Sequence, residues 1–399
     1  MVLRCTGLRA LLGCALSVGL LTACADVPED AVDEVGASSE ALRLRVERRS
    51  IAYDWASRDA MPHGVAGDER FVFLTEPLTG RVVALSRYTG RELGELPAPP
   101  GGFVLPFALR STGVGGLAVL DPGGLPDPTA PPPTATIHEY EYRWDRRARR
   151  FEATWVRTLP LTGAITLFVE DFEVLPDGSY VVSESILGAL WIVEPDGTVR
   201  PGVVPAGFAP SDAIPGLGPC AFPAGVTVDG IPFEPHGMFA PGVGFLASDD
   251  TFLYFGNTCA GGIRRIPVAS LSDARPPHER GDDIELVSPP PAGAAVDVLK
   301  GLVVDRYRDP NTLYAVDALR LEVLRVDLTT GARERVAGPD AVLFDFPVAM
   351  ELLPPVFGIS PLVVVSDQEH RWTGINAALT EDRFRLPFVV AKVIPLHRR

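Results

Sequence analysis

The sequence predicts an all-β chain: a six-bladed β-propeller of four-stranded antiparallel blades. Three observations carry that expectation. One pattern recurs six times: a small or polar residue, an apolar run, a turn, a second β-rich run ending in a polar residue, and a short third strand. The chain holds 39 Gly and 39 Pro among 399 residues, too many turn formers for a helical bundle, and they follow no triplet period. Helical signals are nearly absent. Two packed β-sandwiches are the competing arrangement, but the unbroken repeat offers no boundary at which to divide them.

The first element is an address. Residues 1–23 combine Arg4 and Arg9 with an apolar stretch from Ala10 to Leu21, too short for a good membrane span. Leu21-Thr22-Ala23-Cys24 resembles a bacterial lipobox, which implies a signal peptide and acylation of Cys24. The expectation is a lipid-anchored protein of the cell envelope, placed at the outer membrane of a Gram-negative bacterium. Residues 24–41 are acidic and small, a solvated tether. Residues 42–399 form the propeller.

The repeat supplies the remaining elements. First runs open at His63, Gly115, Glu170, His236, Lys300 and Asp345. Second runs end at or pass Glu76, Glu184, Asn257, Asp317 and Asp367, a series expected to satisfy backbone donors between blades. Third runs such as "GRVVAL" and "LEVLRVDLTTG" lead through turn chemistry to an outer fourth strand. Blade two carries a Pro-rich insertion, "DPGGLPDPTAPPPTAT", and residues 200–234 form a long Gly/Pro-rich connection. The alternating segment "LRLRVERRSIAYD" can pair with the last blade and close the ring. His278 and His370 are expected on surface loops.

Once Cys5 and Cys14 leave with the signal and Cys24 is acylated, Cys220 and Cys259 remain. A disulfide between them would close a loop of about 40 residues and stabilise by roughly 4 kcal/mol. Two buried free thiols are the alternative.

Charge and missing motifs exclude several functions. With 36 Lys and Arg against 51 Asp and Glu, the net charge is −15, unsuited to a nucleic-acid backbone. There is no GxSxG elbow, HExxH, P-loop or dinucleotide fingerprint. The expected partner is a small molecule or an envelope protein, bound by a monomer.

The segments "PHGMFAPGVGFLASDDTFLYFGN", "EDFEVLPDGSYVVSES" and "KGLVVDRYRDPNTLYAVD" resemble blades of the gluconolactonase/regucalcin-like six-bladed propellers. In that family one Glu, two Asn and one Asp hold a divalent cation in the axial channel, usually calcium, which polarises a lactone carbonyl. Here His63 stands in place of the Glu, Glu170 (with Asp171 beside it) and His236 in place of the two Asn, and Lys300 in place of the Asp. Calcium wants six to eight oxygens, so this set argues against it. Two imidazoles and a carboxylate could instead hold zinc or iron. A metal-free site is the other reading, with His63 or His236 as general base and Lys300 stabilising an oxyanion. The expected activity is lactone or ester hydrolysis, with a non-enzymatic protein- or glycan-binding scaffold as the alternative. His63, Glu170, His236 and Lys300 are expected to share one cavity, with Glu170 or Asp171 paired to Lys300 or a His and its pKa lowered.

Overall fold

The structure is a computed structural model that describes residues 44–47, 57–126, 129, 131–207, 210–219, 222–236, 242–257, 260–293 and 297–395. Cys24, Cys220 and Cys259 lie outside the described residues, so the lipidation and disulfide expectations are not addressed by it.

Six four-stranded antiparallel sheets form the propeller blades. Their inner strands are Val65–Gly67, Ala108–Ser111, Val169–Val174, Val243–Ser248, Leu299–Val304 and Pro347–Leu352. Blade six takes its outermost strand from the other end of the chain: Leu44–Glu47 pairs antiparallel with Val390–Pro395 and closes the ring. Among the described residues there is no α-helix, only short 3-10 turns, and no helix long and apolar enough to cross a membrane.

The middle strands are apolar on both faces because each blade is covered by a neighbour on either side. The second strand of blade one, "FVFLTE", is buried throughout. Phe73, Phe151 and Tyr142 fill the space between blades one and two, Phe172 and Ile137 that between two and three, and Phe255 and Leu190 that between three and four. Each fully buried Phe or Leu contributes about 1.5–3 kcal/mol. Outer strands such as Arg333–Ala337 are partly exposed and charged, which protects the blade edge from pairing with other chains.

The polar residue ending each second strand is structural in most blades. Glu184 accepts from the backbone N–H groups of Leu167, Phe168 and Leu187. Asp317 accepts from those of Leu319 and Arg320, and Asn257 accepts from Ala260. Asp121 does the same for Val104, Leu105 and Gly123. Asp121 identifies residues 116–121 as the second strand of blade two. The run opening at Gly115 is therefore not an inner strand; that role falls to Ala108–Ser111.

A second correction concerns blade four, whose inner strand begins at Val243 rather than at His236. His236 belongs to the connection from blade three, which carries a small hairpin, Thr227–Val228 and Ile231–Pro232. This strap is tied to the loop before the last strand. Asn376 Nδ2 donates to the Pro232 and His370 carbonyls, and its Oδ1 accepts from Glu234 N.

Candidate functional site

Four inner strands depart from regular pairing near their starts. In blades three to six the register slips by one residue, between Val169 and Asp171, Val243 and Leu246, Lys300 and Val303, and Pro347 and Ala349. Such bulges re-aim side chains. Here they place Glu170 and Lys300 on the wall of an axial cavity. In blade four the corresponding stretch holds Gly244, and a Cβ built there would sit 3.0 Å from Glu170 Oε2. The missing side chain makes room for the carboxylate.

The cavity measures about 90 Å³ as space open to a water centre, where a single water needs about 10–15 Å³. Its polar lining consists of His63, Glu170, Ser185, Lys300, Asp367 and Glu369. Its walls include Phe107, Phe168, Phe222, Phe233, Phe346 and Trp372. The two irregular insertions supply part of this cover: Leu125 from blade two, and Phe222, Phe233 and Pro235 from the strap.

His63 is 3% exposed, with Nδ1 3.0 Å from Asp367 Oδ2 and its ring 3.7 Å from that of Phe107. Its Nε2 has no hydrogen-bond partner among the described residues. Gly64 follows because blade two approaches closely: a Cβ there would lie 2.3 Å from the Phe107 carbonyl oxygen. Lys300 Nζ lies 2.7 Å from Glu369 Oε2 and over the Phe346 ring, 5.3 Å from its centroid. Asp367 and Glu369 flank Gln368, whose left-handed conformation (φ 62°) opens the 3-10 turn Glu369–Arg371.

Burial dominates the electrostatics. It pushes the His63 imidazole down to about 3, the positive charge of Lys300 adding to burial and Glu369 opposing it. Burial raises Asp367 and Glu170 to about 7 each, with Lys300 opposing in both cases. Glu369 is also raised by burial against the pull of Lys300. Burial pushes Lys300 down, but the surrounding carboxylates, Glu369 first, outweigh it and leave the ammonium raised.

Three expected site residues therefore share the cavity: His63, Glu170 and Lys300. The other two do not. His236 is exposed, and its ring Nε2 lies 3.0 Å from the Thr373 carbonyl oxygen while its backbone N–H donates to Ile375; it fastens the strap. Asp171 is buried and lines a smaller neighbouring cavity that also reaches His63 and Glu170; it lies 2.6 Å from Arg110 Nη2 and accepts from Leu246 N. The expected pairing is also corrected. Lys300 pairs with Glu369, His63 with Asp367, and Asp171 with Arg110. The Glu170 and Asp171 carboxyls are raised rather than lowered, because burial outweighs the nearby cations. His370 is fully buried, stacked on Phe346 at 5.4 Å, not on a surface loop.

Sequence reasoning missed Glu369 and the aromatic walls, and took Asp367 as structural. A usable signal was the spacing in "SDQEHRW": the polar residue closing this second run is followed by a further acid two positions on.

His63, Asp367 and Glu369 present donor atoms within 4.8 Å of one another. The set does not fit calcium, which needs more oxygens than two carboxylates supply. The Lys300 ammonium already sits on Glu369 and provides the positive charge there. His236, being outside the cavity, does not complete a two-histidine set for zinc or iron.

Fold and site together define a six-bladed propeller with an aromatic-walled axial cavity over an ionisable floor. No family model matches the sequence, and no curated protein matches it. Many solved structures share the fold. A protein of unknown function from Bacteroides thetaiotaomicron is 13% identical over 88% of this chain and 76% of its own, with a TM-score of 0.53. The luciferin-regenerating enzyme is 10% identical over 88% and 97%, with a TM-score of 0.51. The calcium-binding protein regucalcin from Agrobacterium tumefaciens is 16% identical over 88% and 96%, with a TM-score of 0.49. At such identities the likeness lies in the fold.

Proposed function

We propose that this propeller is a metal-independent hydrolase of small lactones or esters, anchored in the cell envelope through Cys24. The observation that carries the reading is the His63–Asp367 contact on the cavity wall, with a buried His63 Nε2 that has no hydrogen-bond partner among the described residues. A carboxylate accepting the Nδ1 proton leaves the Nε2 lone pair unprotonated, and burial, which pushes the imidazole down to about 3, keeps it so across the working pH range; the ionised Asp367 must offset that burial when the imidazolium forms in the reaction.

Chemistry then follows from the floor. His63 Nε2 takes a proton from water as the water oxygen attacks the ester carbonyl carbon. Lys300, held by Glu369, donates a hydrogen bond to the oxygen that becomes negative. The tetrahedral adduct collapses with cleavage of the carbonyl carbon–oxygen bond. The departing alkoxide takes the proton from His63, giving an acid and an alcohol, or one hydroxy acid from a lactone.

The test is a panel of lactones and aryl esters with purified mature protein in the presence of a chelator. Turnover that persists without metal supports the reading, and turnover restored only by added metal overturns its metal-free form. For the address, Cys24→Ser is expected to release the protein from membranes or leave it unprocessed; unchanged membrane partitioning contradicts the lipid anchor.

A further inference from the structure

The cavity carries an imbalance that hydrolysis does not use. Among the described lining residues, Lys300 is the one permanent cation, facing the carboxyls of Glu170, Asp367 and Glu369. Lys300 is engaged by Glu369 and His63 by Asp367. Glu170, on blade three across the cavity, has no ion-pair partner among the described residues. Its hydrogen-bonding neighbour is the Ser185 hydroxyl. The bulge and Gly244 give its carboxylate room. His63, nine-tenths buried, lines the same cavity, and its Nε2 has no hydrogen-bond partner among the described residues. The walls are aromatic, and one of their faces already stands near a cation, Lys300 over Phe346.

We propose that the preferred ligand is an organic cation: a small aromatic or alicyclic body bearing a protonated amine, its ammonium received by Glu170 and its body by the phenylalanine walls. An ammonium against Glu170 restores charge balance in a site where burial otherwise favours the protonated acid. Aromatic rings around the body contribute dispersion and cation–π attraction. A carboxylate or phosphate ligand would meet three acids and one engaged lysine. Sugar lactones, rich in hydroxyls, would find mostly ring faces. The inference rests on the hydrolase reading in taking this cavity as the substrate site, but its test reads binding, so the two can fail separately.

Three probes of nearly equal size serve: benzylamine, benzyl alcohol and benzoate, titrated into the full mature protein at pH 8 by calorimetry and by tryptophan fluorescence. Benzylamine is expected to bind at least tenfold more tightly than benzyl alcohol, and benzoate more weakly still. Glu170→Gln is expected to abolish the preference for the amine, so that benzylamine and benzyl alcohol bind within about twofold of each other. Benzoate binding as well as benzylamine, or an amine preference that survives Glu170→Gln, overturns the proposal. If Glu170→Gln fails to fold, Glu170→Ser takes its place with the same expected loss of preference; wild-type amine affinity also rises as pH increases through about 7, the value to which Glu170 and Asp367 in this lining are both raised, and a flat profile over that range overturns the proposal. Amine binding without hydrolysis of any ester leaves this inference standing and removes the hydrolase reading.

Discussion

His63 Nδ1 and Asp367 Oδ2 stand 3.0 Å apart across the junction of blades one and six, 304 residues apart in sequence. The ring is clamped against Phe107, and Asp367 also accepts the Glu369 backbone N–H. A histidine so held has one orientation and one free nitrogen. That separates this floor from a calcium site built on oxygen ligands.

The dyad sets the pH dependence of turnover. Burial raises Asp367 to about 7, with Lys300 opposing. Below that pH a protonated Asp367 donates to His63 Nδ1, so the proton of the neutral ring sits on Nε2 and no base faces the cavity. Above it Asp367 accepts from Nδ1 and Nε2 is free. kcat is therefore expected to rise about tenfold per pH unit toward a plateau above pH 7, with Glu369, Lys300 and Glu170 the other charged groups around the pair. Asp367→Asn is expected to lower the plateau by roughly 10²–10⁴-fold. A pH–rate profile of both proteins checks this.

Stability has a window of its own. Glu170, Glu184, Glu351 and Asp367 are raised to about 7 and Asp171 to about 6, all chiefly by burial. In the unfolded chain these groups ionise near their ordinary values, so between about pH 4 and 7 the folded protein holds the extra protons. Their contribution is present at the low end of that range and is lost as pH rises through 7. His63 and His370, pushed down to about 3 by burial, act in the opposite direction below pH 6.5, but they are two groups against five. Melting temperature is expected to be higher at pH 5.5 than at pH 8, and differential scanning calorimetry across that range checks it.

Lys300→Met removes the cation from the same cluster. Glu369, Glu170 and Asp367 are then left with one another, and the loss is expected to reach about 3–5 kcal/mol at pH 8. The deficit shrinks below pH 6, where the acids carry protons. Denaturant titrations at the two pH values measure the difference, and an equal loss at both indicates a packing effect instead.

Much of this fold was legible in the sequence because a propeller repeats. The polar residue closing each second run, Glu184 or Asp317 for example, recurs because every blade must satisfy the same loop donors. The site was legible only in part. His63 and Lys300 stood out at strand openings, where the repeat aims side chains into the channel. His236 was misplaced because "PHG" occurs twice, once before an inner strand and once in the strap, and pattern alone does not separate them. Glu369, Trp372, Phe222 and Phe233 were missed because a 3-10 turn and the strap position them, outside the repeat, whereas Phe107, Phe168 and Phe346 directly precede inner strands and read as ordinary core residues.

The most direct measurement is kcat for His63→Gln on a lactone or aryl ester that the wild type turns over. Glutamine keeps a polar group near Asp367 but offers no nitrogen base to the cavity. With the fold intact by circular dichroism, kcat is expected to fall by roughly 10²–10⁴-fold with little change in KM. A folded His63→Gln protein with wild-type kcat would contradict the account.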